Sequence, residues 1–393
     1  MPRGWPRPVI LLVIGGFFAI RWWTLGGGLH AVASVAYLLT ALAGMLKLPD
    51  GRPVLSARHQ TLILNVGISL VFLDLVFAQI DWAVLVDALA AVNYWMLLPS
   101  FALVVVSLVL RTWRWQWLLR AVGRVPFGSA FRATSIGIGA NMVLPARAGE
   151  FLRAYVIGRS TGISKAAAFA TLVVERIFDG FTILLSLVAV VSLVGVQSSV
   201  LKRIGMVGGL FYLGILAGVS AFYFQQTWFT GIVEGLLPDK WASRASALLQ
   251  AFANGLAVLR NGRQLLIVSL QSLLIWLVIA LSFYPVLLAF DFGSQVPLFT
   301  PFLLLPLIAL GLTIPGAPGG LGIMQLMTVL ALQLSFAAGG AEYASDFAEQ
   351  AAAFSLVLHF SQAAPEIIFG AWAFMTEGLT WVEVEMGREA ATS

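Results

Sequence analysis

Long, unbroken apolar runs limit what this chain can fold into. Residues 61–80, 94–110, 166–196, 205–224, 265–290 and 351–375 approach or exceed the length of one membrane crossing. A helix needs about 20 apolar residues to cross the hydrocarbon core. Inside that core every backbone polar group must be paired within the protein, so only helices and closed barrels span it. The runs are continuous rather than alternating, which selects helices. Only 10% of residues are charged, against roughly a quarter in soluble domains. The fold class expected is an all-α polytopic membrane protein with about seven to eight transmembrane helices.

Several chemistries are excluded early. The chain has no cysteine, so disulfides, thiolate nucleophiles and cysteine metal sites are out. His30, His59 and His359 are far apart in sequence, and none forms a paired zinc motif. No cofactor or metal is expected. The net charge of +5 gathers at helix ends, as cytoplasmic loop arginine does, rather than in a nucleic-acid patch.

The N-terminal 60 residues read as a helical hairpin turning at Gly26-Gly27-Gly28, added before the main domain. The alternative is a signal peptide, with cleavage near Ala31-Val-Ala33. Lys47, Arg52 and Arg58 put the next loop in the cytoplasm. Arg111, Arg114, Arg120, Arg124 and Arg132 mark the same face two spans later, with Trp113, Trp115 and Trp117 as interfacial anchors. Lys202 and Arg203 do not fit the alternation. Within 241–259 apolar residues recur at helical spacing, as in an interfacial helix or a contact site for a partner.

Two segments break the pattern. Residues 131–144 are too short to cross comfortably, hold Gly137, Gly139 and Asn141, and lie between arginines on both sides. That predicts a hairpin entering and leaving on one face, which is tolerated only where protein or a watery cavity covers its backbone. An amphipathic surface helix is the alternative. Residues 298–334 carry Pro301, Pro306, Pro315, Pro318 and Gly316, Gly319, Gly320, Gly322. Helix cannot run through 313–322, because proline removes donors and glycine costs about 1 kcal/mol in a helix interior. A second hairpin, entering from the opposite face, is expected. The two halves, 61–196 and 205–375, would each order helix, helix, hairpin, helix, as in inverted-repeat transporters. Ordinary spans kinked by proline are the alternative. Residues 377–393 are a short acidic tail.

Charge concentrates at the first hairpin. Asn141, Arg147, Glu150 and Arg153 are followed by Glu175, Arg176 and Asp179 on an apolar helix. Ionisable groups at membrane depth are costly and point to function. Glu175 and Asp179 share a helix face. Arg176 can pair with Asp179, and Glu175 needs a further cation from Arg147 or Arg153. A helix opened by Pro145 would turn free N–H groups toward a phosphate or carboxylate. Two roles stay open, a closed salt-bridge network and contact with substrate, and they are compatible. A third, acid–base catalysis by Glu150, Glu175 or Asp179, lacks a nucleophile or metal beside it. In the second half the glycines would let a head group approach the backbone, Gln325 would offer hydrogen bonds, and Glu366 is a lone acid after His359 and Gln362.

Asn141-Met-Val-Leu-Pro-Ala-Arg-Ala-Gly-Glu150-Phe-Leu-Arg153, Gly162-Ile-Ser164, Glu175-Arg176-Ile-Phe-Asp179 and Pro318-Gly-Gly-Leu-Gly322 resemble the lysylphosphatidylglycerol synthase transmembrane-region family, also called flippase-like membrane proteins. Leu110-Arg111-Thr-Trp-Arg-Trp115 is similar to the family's approach to the hairpin. The resemblance covers residues 61–375. It implies a bacterial or archaeal cytoplasmic-membrane protein. In two-domain members this region is associated with moving an aminoacylated phospholipid between leaflets, and a separate soluble domain makes the lipid. Few residues follow the last helix here, so lysyl transfer is not expected. The family commonly carries Glu where this chain has Gln325, which removes one partner for a cationic head group. The partners implied are a phospholipid or lipid-linked molecule, with a second copy of the chain or a partner enzyme left open.

Overall fold

The computed structural model describes residues 7–25, 28–45, 57–78, 80–144, 148–194, 225–236, 262–290, 297–314, 318–339 and 347–378, with isolated residues between 206 and 253. Every regular element among them is helical. Most of the expected span 205–224, Lys202, Arg203 and most of the amphipathic stretch 241–259 lie outside the described residues.

The helices are α1 (Arg7–Leu25), α2 (Gly28–Met45), α3 (Ala57–Phe77), α4 (Trp82–Ala90), α5 (Leu97–Leu119), α6 (Phe127–Val143), α7 (Gly149–Thr161) and α8 (Lys165–Val194). There follow α9 (Gln226–Leu236), α10 (Gly262–Ala289), α11 (Thr300–Gly311), α12 (Ile323–Gly339) and α13 (Phe347–Thr376). Four described segments are long and apolar enough to cross a membrane: Tyr94–Leu119, Gly262–Ala289, Pro318–Gly339 and Phe347–Thr376. The bent pair Ile63–Phe77 and Trp82–Ala90, turned by 87°, brings the number to five.

The N-terminal pair α1 and α2 pack on each other and on α3. Gly67 of α3 lies against the Tyr37 ring. Asp74 of α3 accepts from Arg21 Nε of α1 and meets His30 Nε2 of α2, each at 2.5 Å.

Both proline- and glycine-rich segments fold as helical hairpins. In the first, α6 and α7 lie so close that a Cβ on Gly137 would come within 2.8 Å of the Gly149 carbonyl, and one on Gly149 would fall on that of Gly137. The alternative of an amphipathic surface helix does not hold for α6. Ala130, Ala133, Thr134, Ser135, Ile136, Gly137 and Gly139 are all buried. Gly162, at φ 73°, ends α7 by donating its N–H to the Gly158 carbonyl at 3.0 Å, a glycine C-terminus of the usual kind. In the second hairpin helix stops at Gly311 and resumes at Ile323. Gly319, Gly320 and Gly322 in its turn have φ of 69°, 74° and 87°, where a side chain would be strained. At the open end, Thr300 Oγ1 meets Ser335 Oγ at 2.5 Å.

The halves pack reciprocally. α5 runs along α10, its counterpart in order. α6 packs on α13, the last helix of the other half, and α11 packs on α8, the last helix of the first. α5 touches α13 as α10 touches α8. This exchange of partners is the pattern that an inverted repeat would give. Each hairpin also has its own core. One is built on Trp115, Ile136, Ile157 and Leu172, the other on Leu303, Leu332, Phe283 and Phe354.

α13 is a single helix of 30 residues and carries Pro365 inside it. The helix continues through Pro365 and Glu366 without interruption.

Candidate functional site

The first hairpin delivers Arg153 to the carboxylates of α8. Asn141 makes this geometry: its Oδ1 accepts the Gly149 N–H at 2.9 Å across the turn. The helix therefore opens at Gly149, four residues after Pro145, and one of the leading N–H groups expected to face an anion is already occupied. Pro145 and Arg147 lie outside the described residues, so the stripe of Arg147, Glu150 and Arg153 is seen only in its last two members.

Arg153 grips Glu175 with a two-pronged contact, Nη1 to Oε1 at 3.0 Å and Nη2 to Oε2 at 3.3 Å, the geometry that makes arginine–carboxylate pairs strong. Arg176 Nη2 donates to Glu175 Oε1 at 2.7 Å and reaches Asp179 Oδ2 at 3.2 Å. Of the two partners expected for Glu175, Arg153 is thus found.

A third cation was assigned elsewhere by the sequence pattern. Arg114 of α5 donates from Nη1 to Asp179 Oδ1 at 2.6 Å and to Ser272 Oγ at 2.7 Å, and its Nη2 lies 3.3 Å from Glu175. It was read as a cytoplasmic marker, yet α5 runs on to Leu119 and buries it completely. Trp115, expected as an interfacial anchor, is also fully buried. Its ring lies 3.9 Å from the Arg153 guanidinium carbon, and its N–H donates to Thr171 Oγ1 at 2.9 Å. Trp276 of α10 completes the set, donating to Asp179 Oδ1 at 3.0 Å.

Exposure divides the cluster. The side chains of Glu175, Arg114 and Arg153 are closed off, while Arg176 is 43% exposed and Glu150 18%. Those two lie 3.8 Å apart at the open edge. The inner groups form a neutral scaffold, and among the described members of the cluster Arg176 and Glu150 are the most exposed.

The second-half residues are placed differently. Gln325 Oε1 accepts the Gly322 N–H at 2.7 Å, and its Nε2 meets His359 Nδ1 at 2.9 Å. One end of the amide is committed to the turn and the other to His359 of α13. Gly319 lies against the Met142 carbonyl of α6, and Gly322 against the backbone of Ser69 in α3. Packing and positive φ already require glycine at these positions. The two hairpins meet here, at Met142 and Gly319. Glu366 is not alone: Arg111 Nη1 lies 3.6 Å from its Oε1. Among the described residues no group of three or more His, Asp or Glu could hold a metal ion.

Residues 62–370 match the model of the family described as the lysylphosphatidylglycerol synthase TM region. The chain belongs to this family. It is 27% identical over 302 residues to the glycosyltransferase AglD of Haloferax volcanii, covering 68% of this chain and 48% of that protein. It is 25% identical over 262 residues to a UPF0104 membrane protein of Methanothermobacter thermautotrophicus, covering 61% and 75%. A third relative, a UPF0104 membrane protein of Methanocaldococcus jannaschii, is 29% identical over 115 residues, covering 28% of this chain and 34% of that protein. The chain thus spans about half the length of the AglD protein. No solved structure matches it significantly. The family match begins within α3, so α1 and α2 lie outside it.

Proposed function

We propose that this protein moves a polar-headed phospholipid or lipid-linked molecule between the leaflets of the cytoplasmic membrane, without changing it chemically. The observation that carries this reading is a scaffold of buried arginines and carboxylates that opens at Arg176 and Glu150, beside a hairpin whose turn meets that of a second hairpin. A charged head group cannot cross hydrocarbon without polar contacts to replace its water. The two hairpins, entering from opposite faces, would supply them near the centre of the bilayer while the acyl chains stay in lipid. Membership of a family named for the membrane region of a lipid synthase favours a lipid ligand.

The AglD relative favours a second reading. Its name is that of a glycosyltransferase, so this chain could serve a lipid-linked glycan, as an intramembrane enzyme or as a membrane subunit beside one. A leaflet-resolved assay in proteoliposomes separates these readings. Transfer of an unaltered lipid supports translocation, a new product supports an enzyme, and neither outcome leaves a subunit that carries no lipid. Glu150→Gln and Arg176→Gln should stop transfer in protein that is still folded. Transfer at the wild-type rate in both variants would remove the site from the mechanism.

A further inference from the structure

The buried carboxylates of this protein are not equally compensated. Glu175 contacts three arginines, at 2.7, 3.0 and 3.3 Å. Asp179 has Arg114, Arg176 and the Trp276 N–H within 3.2 Å. Glu366 has Arg111 alone, at 3.6 Å, beyond hydrogen-bond reach. No side-chain hydrogen bond of Arg111 or Glu366 is made among the described residues. Arg111 also approaches the Trp276 ring, at 5.9 Å, and lies within electrostatic reach of Asp179. This pair is also open where the inner cluster is shut: its side chains are 22% and 15% exposed.

We propose that Glu366 is a proton-accepting site that releases Arg111 to bind a phosphate anion. A carboxylate with one distant cation is the least costly of the three to neutralise. When it takes a proton from water onto an oxygen, the pair becomes a lone guanidinium with five donors, fitted to phosphate by its fork. When the proton leaves, the carboxylate reclaims the arginine and repels the anion. The site lies between α5 and α13, helices of opposite halves, and Arg111 and the α8 cluster both touch Trp276. The inference rests on the translocation reading only in taking a lipid head group as the source of the phosphate.

Among the described residues one other carboxylate, Asp179, lies within electrostatic reach of Arg111, and it is already held by Arg114 and Arg176. Arg114, one turn along α5, is held by Asp179, Glu175 and Ser272. From α6 comes Gly139 against the Glu366 carbonyl, while Arg132 of that helix pairs with Glu377, about 16 Å along α13 by helical rise. α12 offers Gln325, occupied by His359. α10 offers Trp276 and Ser282, the latter bonded to Gln362. The Asp81 backbone N–H, at the α4 cap, donates to Glu349, and both sit about 25 Å away. Asp87 belongs to the same short helix.

The test is proton uptake on binding, measured with a pH indicator on the full chain in weakly buffered detergent. The probes are inorganic phosphate and a short-chain phosphatidylglycerol. Wild type should take up about one proton per bound probe, and its affinity should weaken about tenfold per unit rise in pH. Glu366→Gln should bind without proton uptake and with flat pH dependence, and Arg111→Gln should not bind. Should Arg111→Gln fail to fold, Arg111→Lys should bind more weakly yet still take up the proton. Infrared difference spectra should show a protonated carboxyl in the bound wild type and none in Glu366→Gln. Uptake by inorganic phosphate names a free anion as the source, uptake by the lipid alone a head group, and either supports the site. Absent binding, absent uptake in wild type, or unchanged uptake in Glu366→Gln overturns it. Proton-linked binding with no leaflet transfer would instead sink the translocation reading.

Discussion

Arg114 and Glu150 show how differently two charges of one cluster should behave when removed. Arg114 is fully buried between two carboxylates. Arg114→Met therefore leaves Asp179 and Glu175 short of a cation, and breaking a buried pair in this way costs about 3–5 kcal/mol. Denaturant titration in detergent should show that loss directly. Glu150 sits at the open edge with one contact at 3.8 Å. Glu150→Gln should unfold within about 0.5 kcal/mol of wild type, while leaflet transfer is lost. Asp179 is a poorer test of function, because its substitution would disturb the scaffold as well. The carboxylates, Arg153 and Arg176 were legible in the sequence because charge is scarce in an apolar run. Arg111 and Arg114 were not. They follow an apolar stretch, as loop arginines do, and nothing in the spacing separates buried Arg114 from Arg120, which stacks on Trp117. The missing signal was a charge count: Glu175 and Asp179 share one face of α8, and the arginines near them in sequence do not satisfy both.

At the scale of helices, glycines decide how closely the hairpins pack. Gly139 of α6 crosses Gly370 of α13, and a Cβ on either would stand 2.9 Å from the other's Cα. Gly139→Leu should force the helices apart, lower the melting temperature and expose the first hairpin to protease. Gly128 is the control on the same helix, since its Cβ would meet only Arg132 Nη1, at 3.6 Å. Gly128→Ala should be neutral, or stabilise by up to about 1 kcal/mol as helix propensity dictates. The prolines and glycines marked where helix is interrupted in both segments, between α6 and α7 and between α11 and α12. The sequence misplaced the start of α7, because Asn141 caps that helix from eight residues upstream, and a contact across a turn leaves no local signature.

The halves pack reciprocally, and among the described residues the two hairpins touch at Met142 and Gly319. A Cβ on Gly319 would lie 3.3 Å from the Met142 carbonyl oxygen and 3.8 Å from its Cα. The element order hinted at this relation, but the contact itself depends on α6 lying on α13 and α11 on α8, pairings between segments far apart in sequence. If a head group passes between the turns, they must separate once in every cycle. The chain has no cysteine, so a disulfide can be placed there without background. The Met142→Cys, Gly319→Cys double variant brings the two Cβ atoms near bonding range. The positive φ at Gly319 costs the reduced form about 1–2 kcal/mol, so stability of that form should be checked first. Oxidation should join the halves, seen as a band that survives cleavage between them. It should stop leaflet transfer, and reductant should restore it. The single variants should transfer lipid under both conditions. Transfer at full rate through the oxidised pair would show that the head group travels by another route, and the meeting of the hairpins would then be a fixed seam.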